Sequence, residues 1–182
     1  MISEGVEMRG VGLGDAAGLA EVLGRNRDHM RPFEPYRPES FYTEQGQRER
    51  IEQQLAARDA GALVPFLLVD TTTGTPVGAI NLGRIEQGPF RSGGIGYWVD
   101  EARRGKGLAA AAADAVCRHA RDVVGLHRVE AGTLLDNLAS QRVLEKAGFE
   151  PFGVAPKYLH INGAWRDHRL FQRLLHDDPP AV

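Results

Sequence analysis

The spacing of hydrophobic and polar residues divides the first half of the chain into strands and helices. Apolar side chains that recur three or four residues apart mark the inner face of a helix, whereas alternation marks the inner face of a strand. By these criteria we expect strands at 6–11, 63–69 and 77–85 and helices at 15–26 and 44–60, with Asp15 as the first N-cap.

Residues 28–42 separate the two predicted helices and follow neither pattern. They contain three prolines and four aromatic residues, too many prolines for a long helix and too many aromatic side chains for a plain linker. We expect either a loop that packs on the core or one wall of a binding site.

The second half of the chain is organised around an alanine-rich helix that runs from Leu108 to about Val124. This helix connects two predicted strands, Gly94–Val99 and Arg128–Leu134. A helix that crosses over between two neighbouring strands of one sheet leaves those strands parallel. The sequence therefore predicts a parallel pair in the middle of the sheet.

Two further elements complete the pattern. The first is a short helix that Asp136 or Asn137 can cap and that ends at Gly148, because glycine is favoured just after a helix C-terminus. The second is a hairpin of strands at 158–161 and 165–175, joined by the strong turn dipeptide Asn162-Gly163. Together the elements predict an α+β fold, with a mixed sheet that is antiparallel at both ends and covered by helices.

Length and composition narrow the class of protein. With 182 residues, 42% of them hydrophobic and 25% charged, the chain can form one domain, which we place at 1–176, followed by a flexible tail at 177–182. A net charge of −2 and a pI near 6.3 give no general attraction to nucleic acid or membranes. No apolar run approaches the roughly 20 residues that span a bilayer, and no signal peptide is visible, so we expect a cytoplasmic protein.

Cysteine and histidine usage argues against a metal site. The single Cys117 excludes an internal disulfide and a cysteine-based zinc site. The six histidines contain no H-x-x-x-H pair, and His160 and His168 are not directly opposite each other in the predicted hairpin. We expect no metal and place these two histidines on solvent-facing strand positions.

The stretch Arg103–Ala109, just before the alanine-rich helix, has the character of a phosphate-binding turn. Gly105 and Gly107 can adopt positive φ and let a ligand approach the backbone closely. The helix that follows offers unpaired N–H groups and the positive end of its dipole. Three basic residues in the same stretch add positive charge, so we expect a phosphate-bearing cofactor here.

Several known patterns compete for this turn. A Walker loop needs Ser or Thr after its lysine, whereas Lys106 is followed by Gly107. Gly105-x-Gly107-x-x-Ala110 matches a dinucleotide-binding pattern, but residues 100–104 separate the preceding strand from the first glycine. A glycine-rich loop that binds no ligand is the remaining alternative.

A further pattern fits this turn better. Arg104–Ala109 has the form R-x-x-G-x-A, which resembles the pyrophosphate loop of the GNAT superfamily of acyl-CoA-dependent N-acyltransferases. Asn137–Ser140 with Val143–Phe149 is similar to the second cofactor element of that family. Asn26–Phe33 with Phe41–Thr43 resembles the opening of the RimJ/RimL-type branch, which acetylates protein N-termini, typically of ribosomal proteins.

The resemblance implies a fold and a co-substrate. In the GNAT fold, a mostly antiparallel mixed sheet contains two central parallel strands that splay apart and admit the acyl-pantetheine arm of acetyl-CoA. It also implies which residues contact that co-substrate: Tyr97, Trp98, Val99, Arg104, Gly105, Lys106, Gly107, Leu108, Ala109, Asn137 and Ser140.

Acetyl transfer to an amine has three chemical requirements. The amine must lose a proton, the thioester oxygen needs a hydrogen-bond donor, and the departing sulfur benefits from an acid. The resemblance implies that the Val99 N–H or a neighbour is the donor and that Ser140 is the acid, with a plain capping role for Ser140 as the alternative. The identity of the group that accepts the proton of the amine stays open. The carboxylate that some relatives carry aligns here with Leu159, beside His160. The other options are Glu34, Glu39 and Glu101.

The acceptor is expected to bind residues of the segment that resembles the RimJ/RimL opening, namely Phe33, Glu34, Tyr36 and Tyr42. A peptide α-amine has a pKa near 8, so roughly a tenth of it is neutral at pH 7 and it needs no strong base. We therefore expect a peptide N-terminus with a small first residue such as Ser or Ala. The alternative acceptors are a lysine side chain and small amines (polyamines, antibiotics or metabolites). A CoA-binding module without turnover and an NAD-linked enzyme are the alternative functions, and a homodimer stays open.

Overall fold

The computed structural model describes residues 1–179, and these form one seven-stranded sheet with helices on both faces. The strands are β1 (Val6–Gly10), β2 (Leu63–Asp70), β3 (Pro76–Glu86), β4 (Ser92–Val99), β5 (Arg128–Leu134), β6 (Glu150–Ile161) and β7 (Ala164–Leu174). The helices are α1 (Ala16–Arg25), α2 (Arg27–Met30), α3 (Glu44–Asp59), α4 (Leu108–His119) and α5 (Leu138–Lys146). The last three residues of the predicted tail at 177–182 lie outside the described range.

The strands are arranged in the order β1-β2-β3-β4-β5-β7-β6. Every neighbouring pair is antiparallel except β4 and β5, which are parallel. The chain between β4 and β5 contains α4, and a helical crossover of this kind returns the next strand in the same direction. The predicted mixed sheet with a central parallel pair is confirmed.

The parallel pair separates soon after it forms. Only Ser92–Gly94 of β4 pairs with Arg128–Glu130 of β5. Beyond Gly94 the first strand continues to Val99 and the second to Leu134 without pairing to each other. The two strands therefore diverge and leave a wedge in the sheet, as the family resemblance implied.

Two hydrophobic clusters lie on opposite faces of the sheet. The larger one packs Leu68, Ile80 and Leu82 of the central strands against α4 and α5. The smaller one packs Leu67 and Val69 of β2 against α1 and α3. Successive residues of a strand point to opposite faces, which is why consecutive leucines of β2 serve different clusters.

Several element boundaries differ from those predicted. The Asp15 side chain does not cap α1, because it accepts hydrogen bonds from Arg9 and from the Gly12 N–H instead. The helix after the glycine turn ends at His119 and continues as one π-helical turn over Ala120–Val124.

Strand β6 begins at Glu150, earlier than the sequence predicted. It is the edge strand, and almost every one of its residues is exposed, so no alternation marks it in the sequence. Its pairing with β7 is also irregular between Ala155 and Leu159, where Lys157 adopts a positive φ of 50°. The hairpin turn itself is confirmed, because Asn162 and Gly163 both have positive φ and join the two strands directly.

Within residues 1–179, no helix combines the length and the apolar character that crossing a bilayer requires.

Candidate active site

The glycine turn before α4 opens onto a large cleft. Gly105 and Gly107 both have φ of 75°, and Gly107 is the N-cap of α4. A Cβ on either residue would meet no atom within 4 Å, so glycine is needed here for its backbone conformation. Both glycines, with Leu108 and Ala109, line a cleft of about 900 Å³. The first N–H groups of α4 therefore lie at the wall of this cleft, where they can bind an anion.

Basic side chains surround this end of the cleft. Arg104 lines it from the turn, and Arg142 and Lys146 line it from α5, one helical turn apart. Lys106, in contrast, is exposed and does not line the cleft. The turn and α5 together thus form a positively charged end that suits a phosphate-bearing ligand.

Arg103 also lines the cleft, but its charge is partly neutralised. Its guanidinium donates a hydrogen bond to the carboxylate of Asp70, which is buried at the end of β2. Arg104 also lies 3.7 Å from Glu101, so carboxylates offset part of the positive charge that the sequence predicted for the turn. The ion pair between Arg103 and Asp70 fastens the turn to the sheet.

The middle of the cleft is the wedge between β4 and β5. Gly96–Val99 lines it and has no pairing partner on the β5 side. In an extended strand the N–H and C=O groups point alternately to the two sides, so half of the groups in this segment face the wedge. They can pair with an extended ligand such as a pantetheine arm, as the resemblance implied for Tyr97, Trp98 and Val99.

Ser140 and Asn137 lie on the α5 side of the wedge. Asn137 is the N-cap of α5, and its side-chain oxygen accepts a hydrogen bond from the Ser140 N–H at 3.1 Å. The helix end is thus already capped by Asn137, which leaves the Ser140 hydroxyl free of that task. Both residues line the cleft.

The Ser140 hydroxyl is hydrogen-bonded to a partly buried phenol, that of Tyr97. Tyr97 Oη lies 2.8 Å from Ser140 Oγ and 3.3 Å from the Ser140 carbonyl oxygen. Burial raises the pKa of Tyr97 to about 12, so the phenol keeps its proton at neutral pH. When this proton is donated to Ser140 Oγ, the serine proton is free to point into the cleft.

The far end of the cleft lies on the opposite face of the sheet. Trp98 packs against the cluster beneath α1 and α3, whereas Tyr97 and Val99 pack against the cluster beneath α4 and α5. Because the cleft is lined by all three residues, it passes through the wedge from one face to the other. Phe33 and Glu34 form part of its wall on the Trp98 side.

Two of the four predicted acceptor residues lie elsewhere. Tyr36 is 82% exposed, and neither it nor Tyr42 lines the cleft. The Tyr42 ring packs edge-on against Phe41 and lies beneath the guanidinium of Arg27, 4.7 Å from its centroid. The structure therefore brings together Phe33 and Glu34 but not the two tyrosines.

The candidate bases also differ in whether they line the cleft. Glu34 lines the cleft, is only 15% exposed and accepts a hydrogen bond from Arg37 at 3.3 Å. Glu39 forms an exposed ion pair with Arg27, and Glu101 lies outside the cleft lining. Leu159, which stands where some relatives have the carboxylate, and the neighbouring His160 are exposed on β6 and do not line the cleft. Of these candidates, Glu34 is thus the one that lines the cleft.

A buried polar junction holds the two ends of the site together. Asn26, at the end of α1, donates from its side-chain nitrogen to Asp100 and accepts from the Glu101 N–H, at 3.0 and 2.9 Å. Arg25 donates to the other Asp100 oxygen at 2.5 Å. Asp100 directly precedes the turn region and Asn26 directly precedes the acceptor-side segment. The junction therefore fixes their relative position.

Sequence reasoning missed several residues that line the cleft. Their side chains come from α2, α3, β3, α5 and the loop after α2: His29, Met30, Arg37, Arg50, Asn81, Arg142 and Lys146. His29, Met30 and Lys146 lie within segments that resemble the family but were not singled out there, whereas the other four are brought in by the fold without a local motif. Alternation gives one usable signal, because Asn81 interrupts an apolar strand between Ile80 and Leu82, which both face the larger cluster. A polar residue at such a position faces the other side of the sheet.

One of the two hairpin histidines lies in an environment other than the one predicted. His160 is exposed and pairs with Trp165, but His168 is only 3% exposed, and its ring packs against Tyr158. The prediction of a solvent-facing position is wrong for His168. The prediction that the two histidines do not face each other is confirmed, since His168 pairs with Ala155.

Comparison with known proteins gives consistent matches. A family model described as the acetyltransferase (GNAT) domain matches residues 6–150. The chain is 36% identical over 164 residues to the probable N-acetyltransferase YjcK of Bacillus subtilis, covering 90% of this chain and 91% of that protein.

Solved structures match over almost the whole chain. The ribosomal-protein-S5-alanine acetyltransferase of Vibrio fischeri is 32% identical, with a TM-score of 0.93 and coverage of 98% of this chain and 97% of that chain. RimJ of Mycobacterium smegmatis, solved in complex with CoA-disulfide, is 32% identical, with a TM-score of 0.88 and coverage of 93% and 81%.

Proposed function

The chain belongs to the GNAT acetyltransferase family and is an N-acetyltransferase, and from this premise we propose that it moves the acetyl group of acetyl-CoA to the α-amine of a peptide or protein N-terminus. The observation that carries the proposal is the single cleft that joins the glycine turn, the wedge between β4 and β5, and the wall formed by Phe33 and Glu34. A cleft of this shape can hold the acyl donor and the acceptor at once, as direct transfer requires.

The residues present fit a CoA thioester. The turn at Gly105–Gly107 and the N-terminus of α4, with Arg104, Arg142 and Lys146 nearby, supply N–H groups and positive charge for its phosphates. The unpaired edge of β4 at Gly96–Val99 supplies backbone groups for its pantetheine arm. Relatives solved with CoA support this placement, among them RimJ of Mycobacterium smegmatis.

Ser140 and Tyr97 fit the role of acid for the leaving thiolate. When the amine attacks the thioester carbon, the carbon–sulfur bond breaks and the sulfur takes up a proton. Ser140 Oγ donates this proton and receives one from the phenol of Tyr97, 2.8 Å away. The Tyr97 oxygen then takes a proton back from solvent, which balances the proton that the attacking amine releases. An N–H group of the unpaired β4 segment, with that of Val99 as the family expectation, donates to the thioester oxygen, on which negative charge develops.

The acceptor amine loses its proton with little help from the protein. Glu34 is the carboxylate that lines the cleft, and it accepts a hydrogen bond from Arg37. This carboxylate can hold the ammonium form of the acceptor and, directly or through a water, accept its proton. An α-amine with a pKa near 8 suits this arrangement better than a lysine with a pKa near 10.4.

Relatives support an N-terminal acceptor. The Vibrio fischeri protein is described as an S5-alanine acetyltransferase, which modifies the alanine of a ribosomal protein. The exposed Phe33 beside Glu34 gives this chain an apolar wall that can contact the first side chain of such a peptide.

A panel of acceptors tests the proposal. Acetyl-CoA is mixed with peptides that have a free N-terminus, with polyamines and with aminoglycosides, and release of free CoA thiol is measured for each. We expect thiol release with the peptides, and most with a small first residue. Release only with the small amines would overturn the N-terminal acceptor, and no release with any amine would leave a CoA-binding module without turnover.

A further inference from the structure

Arg50 is a charged side chain of the cleft that the proposed reaction does not use. It lies on α3, is partly buried, and lines the acceptor end of the cleft together with Phe33, Glu34 and Arg37. Among residues 1–179, its guanidinium has no carboxylate within 4 Å and donates no hydrogen bond, although Arg48 on the same helix pairs with Glu52 and Arg37 pairs with Glu34. The N–H donors of this guanidinium are not enclosed by protein, so a ligand in the cleft can accept hydrogen bonds from them.

The charge around Arg50 is unbalanced. Arg37 and Arg50 both lie over the ring of Phe41, at 4.6 and 5.6 Å from its centroid. One carboxylate, that of Glu34, serves this pair, and it is bonded to Arg37. Burial and the neighbouring charge of Arg37 lower the pKa of Arg50, while the Glu34 carboxylate raises it. An anion that enters here would balance the excess positive charge.

The phosphates of CoA are not that anion. Their expected position is the glycine turn and α5, on the face of the sheet covered by α4 and α5. Arg50 lies on the other face, since its neighbour Ile51 belongs to the cluster beneath α1 and α3. Trp98 and Asn81 line the cleft on the same side as Arg50. The anion must therefore come from the acceptor.

We propose that Arg50 binds a carboxylate of the acceptor, so that this enzyme selects amines accompanied by an acidic group. The inference rests on the proposed function and deepens it, because it defines the acceptor as a peptide with Asp or Glu close behind its α-amine, or as a free amino acid with its own carboxylate. A guanidinium can bind either carboxylate through two parallel N–H···O bonds. Glu34 would then hold the ammonium group while Arg50 holds the acid.

Matched peptides test this assignment. Two peptides share a small first residue; one carries Glu at positions two to four, and the other carries Gln at the same positions. The value of kcat/KM is measured for each peptide with acetyl-CoA. We expect the Glu peptide to be preferred at least tenfold, mainly through KM. The Arg50→Gln variant should treat the two peptides alike, because it lacks the guanidinium that would bind the carboxylate.

Arg48→Gln is the matched control. Arg48 lies on the same helix, is exposed and does not line the cleft, so this variant should keep the full preference. Melting temperature and acetyl-CoA affinity are measured for both variants to exclude a loss of fold or of donor binding. Equal kcat/KM values for the two peptides with the parent enzyme, or an equal loss for both in Arg50→Gln, would overturn the assignment.

Two further arms separate the sources and the underlying function. Free amino acids are compared with their amides, and a preference for the acids that Arg50→Gln abolishes assigns the carboxylate to a free amino acid instead of a peptide. Binding of the two peptides, the amino acids and the amides is also measured by calorimetry with CoA in place of acetyl-CoA. This measurement needs no turnover. If no amine is acetylated, tighter binding of the compounds that carry a carboxylate still supports the Arg50 contact. Equal binding of compounds with and without a carboxylate overturns the Arg50 contact.

Discussion

At the scale of single residues, the hydroxyl of Ser140 is the group on which the proposed chemistry depends most. If it donates a proton to the leaving sulfur, Ser140→Ala should lower kcat by about 10²–10⁴-fold, the range typical of general acid catalysis. Affinity for acetyl-CoA should change little, because Asn137 still caps α5. Steady-state kinetics with binding by calorimetry separates the two effects, and a kcat within twofold of the parent would remove Ser140 from the mechanism.

Tyr97 is predicted to act through Ser140. Tyr97→Phe removes the phenol that lies 2.8 Å from Ser140 Oγ and should lower kcat by roughly tenfold, less than the loss of Ser140 itself. Because the two groups act as one unit, the double variant Tyr97→Phe/Ser140→Ala should be no slower than Ser140→Ala alone. Losses that multiply in the double variant would contradict the proposed relay.

At the scale of elements, the turn before α4 is the part of the site whose backbone conformation is most directly set by local sequence. Gly107→Asp places a carboxylate at the positive end of α4 and should weaken acetyl-CoA binding at least tenfold, more than about 1.4 kcal/mol. Gly107→Asn is the control, since asparagine has nearly the same shape, tolerates the same φ of 75° and carries no charge. Equal affinities for the two variants in calorimetry would remove the electrostatic argument.

The junction at Asp100 gives a prediction about pH. Burial by itself raises the pKa of Asp100, but hydrogen bonds from Arg25, Asn26 and the Ala102 N–H outweigh it and hold that pKa below its usual value. A carboxyl whose pKa is lowered by folding stabilises the native state above its unfolded pKa of about 3.9. That stabilisation is lost as the pH falls through the lower folded pKa.

Asp100→Asn tests this junction by removing the charge and keeping the size of the side chain. The free energy of unfolding at pH 7 should fall by about 1–3 kcal/mol, the usual value of a hydrogen bond to a charged group. The difference from the parent should stay constant between pH 7 and 5 and shrink below about pH 4. Urea unfolding at several pH values measures it, and a difference that grows toward low pH would contradict the assignment.

At the scale of the whole molecule, the parts of the site made by local sequence were predictable and those made by tertiary contact were not. The turn at Gly105 and Gly107 requires positive φ and precedes a helix, and both features show in the sequence. The Tyr97–Ser140 contact joins residues 43 positions apart, and no local pattern announces it.

The acceptor end shows the same limit. Aromatic content alone did not distinguish Phe33, which lines the cleft, from Tyr42, which packs on Phe41. Arg50 lies on a helix whose other basic residues are exposed, so nothing in the sequence separates it from Arg48. Strand β6 was predicted too short because an exposed edge strand needs no hydrophobic alternation.

The central claim is that acetyl-CoA and a peptide α-amine meet in one cleft that crosses the sheet. The most direct test gives the enzyme acetyl-CoA and an equimolar pair of peptides of one sequence with a small first residue and an internal Glu. In one peptide the N-terminus is free and its lysines are blocked; in the other the N-terminus is blocked and its lysines are free. Mass spectrometry of the products should show one acetyl group on the first peptide, at its α-amine, and none on the second. Acetylation of lysine in the second peptide, with the first left unmodified, would contradict the account.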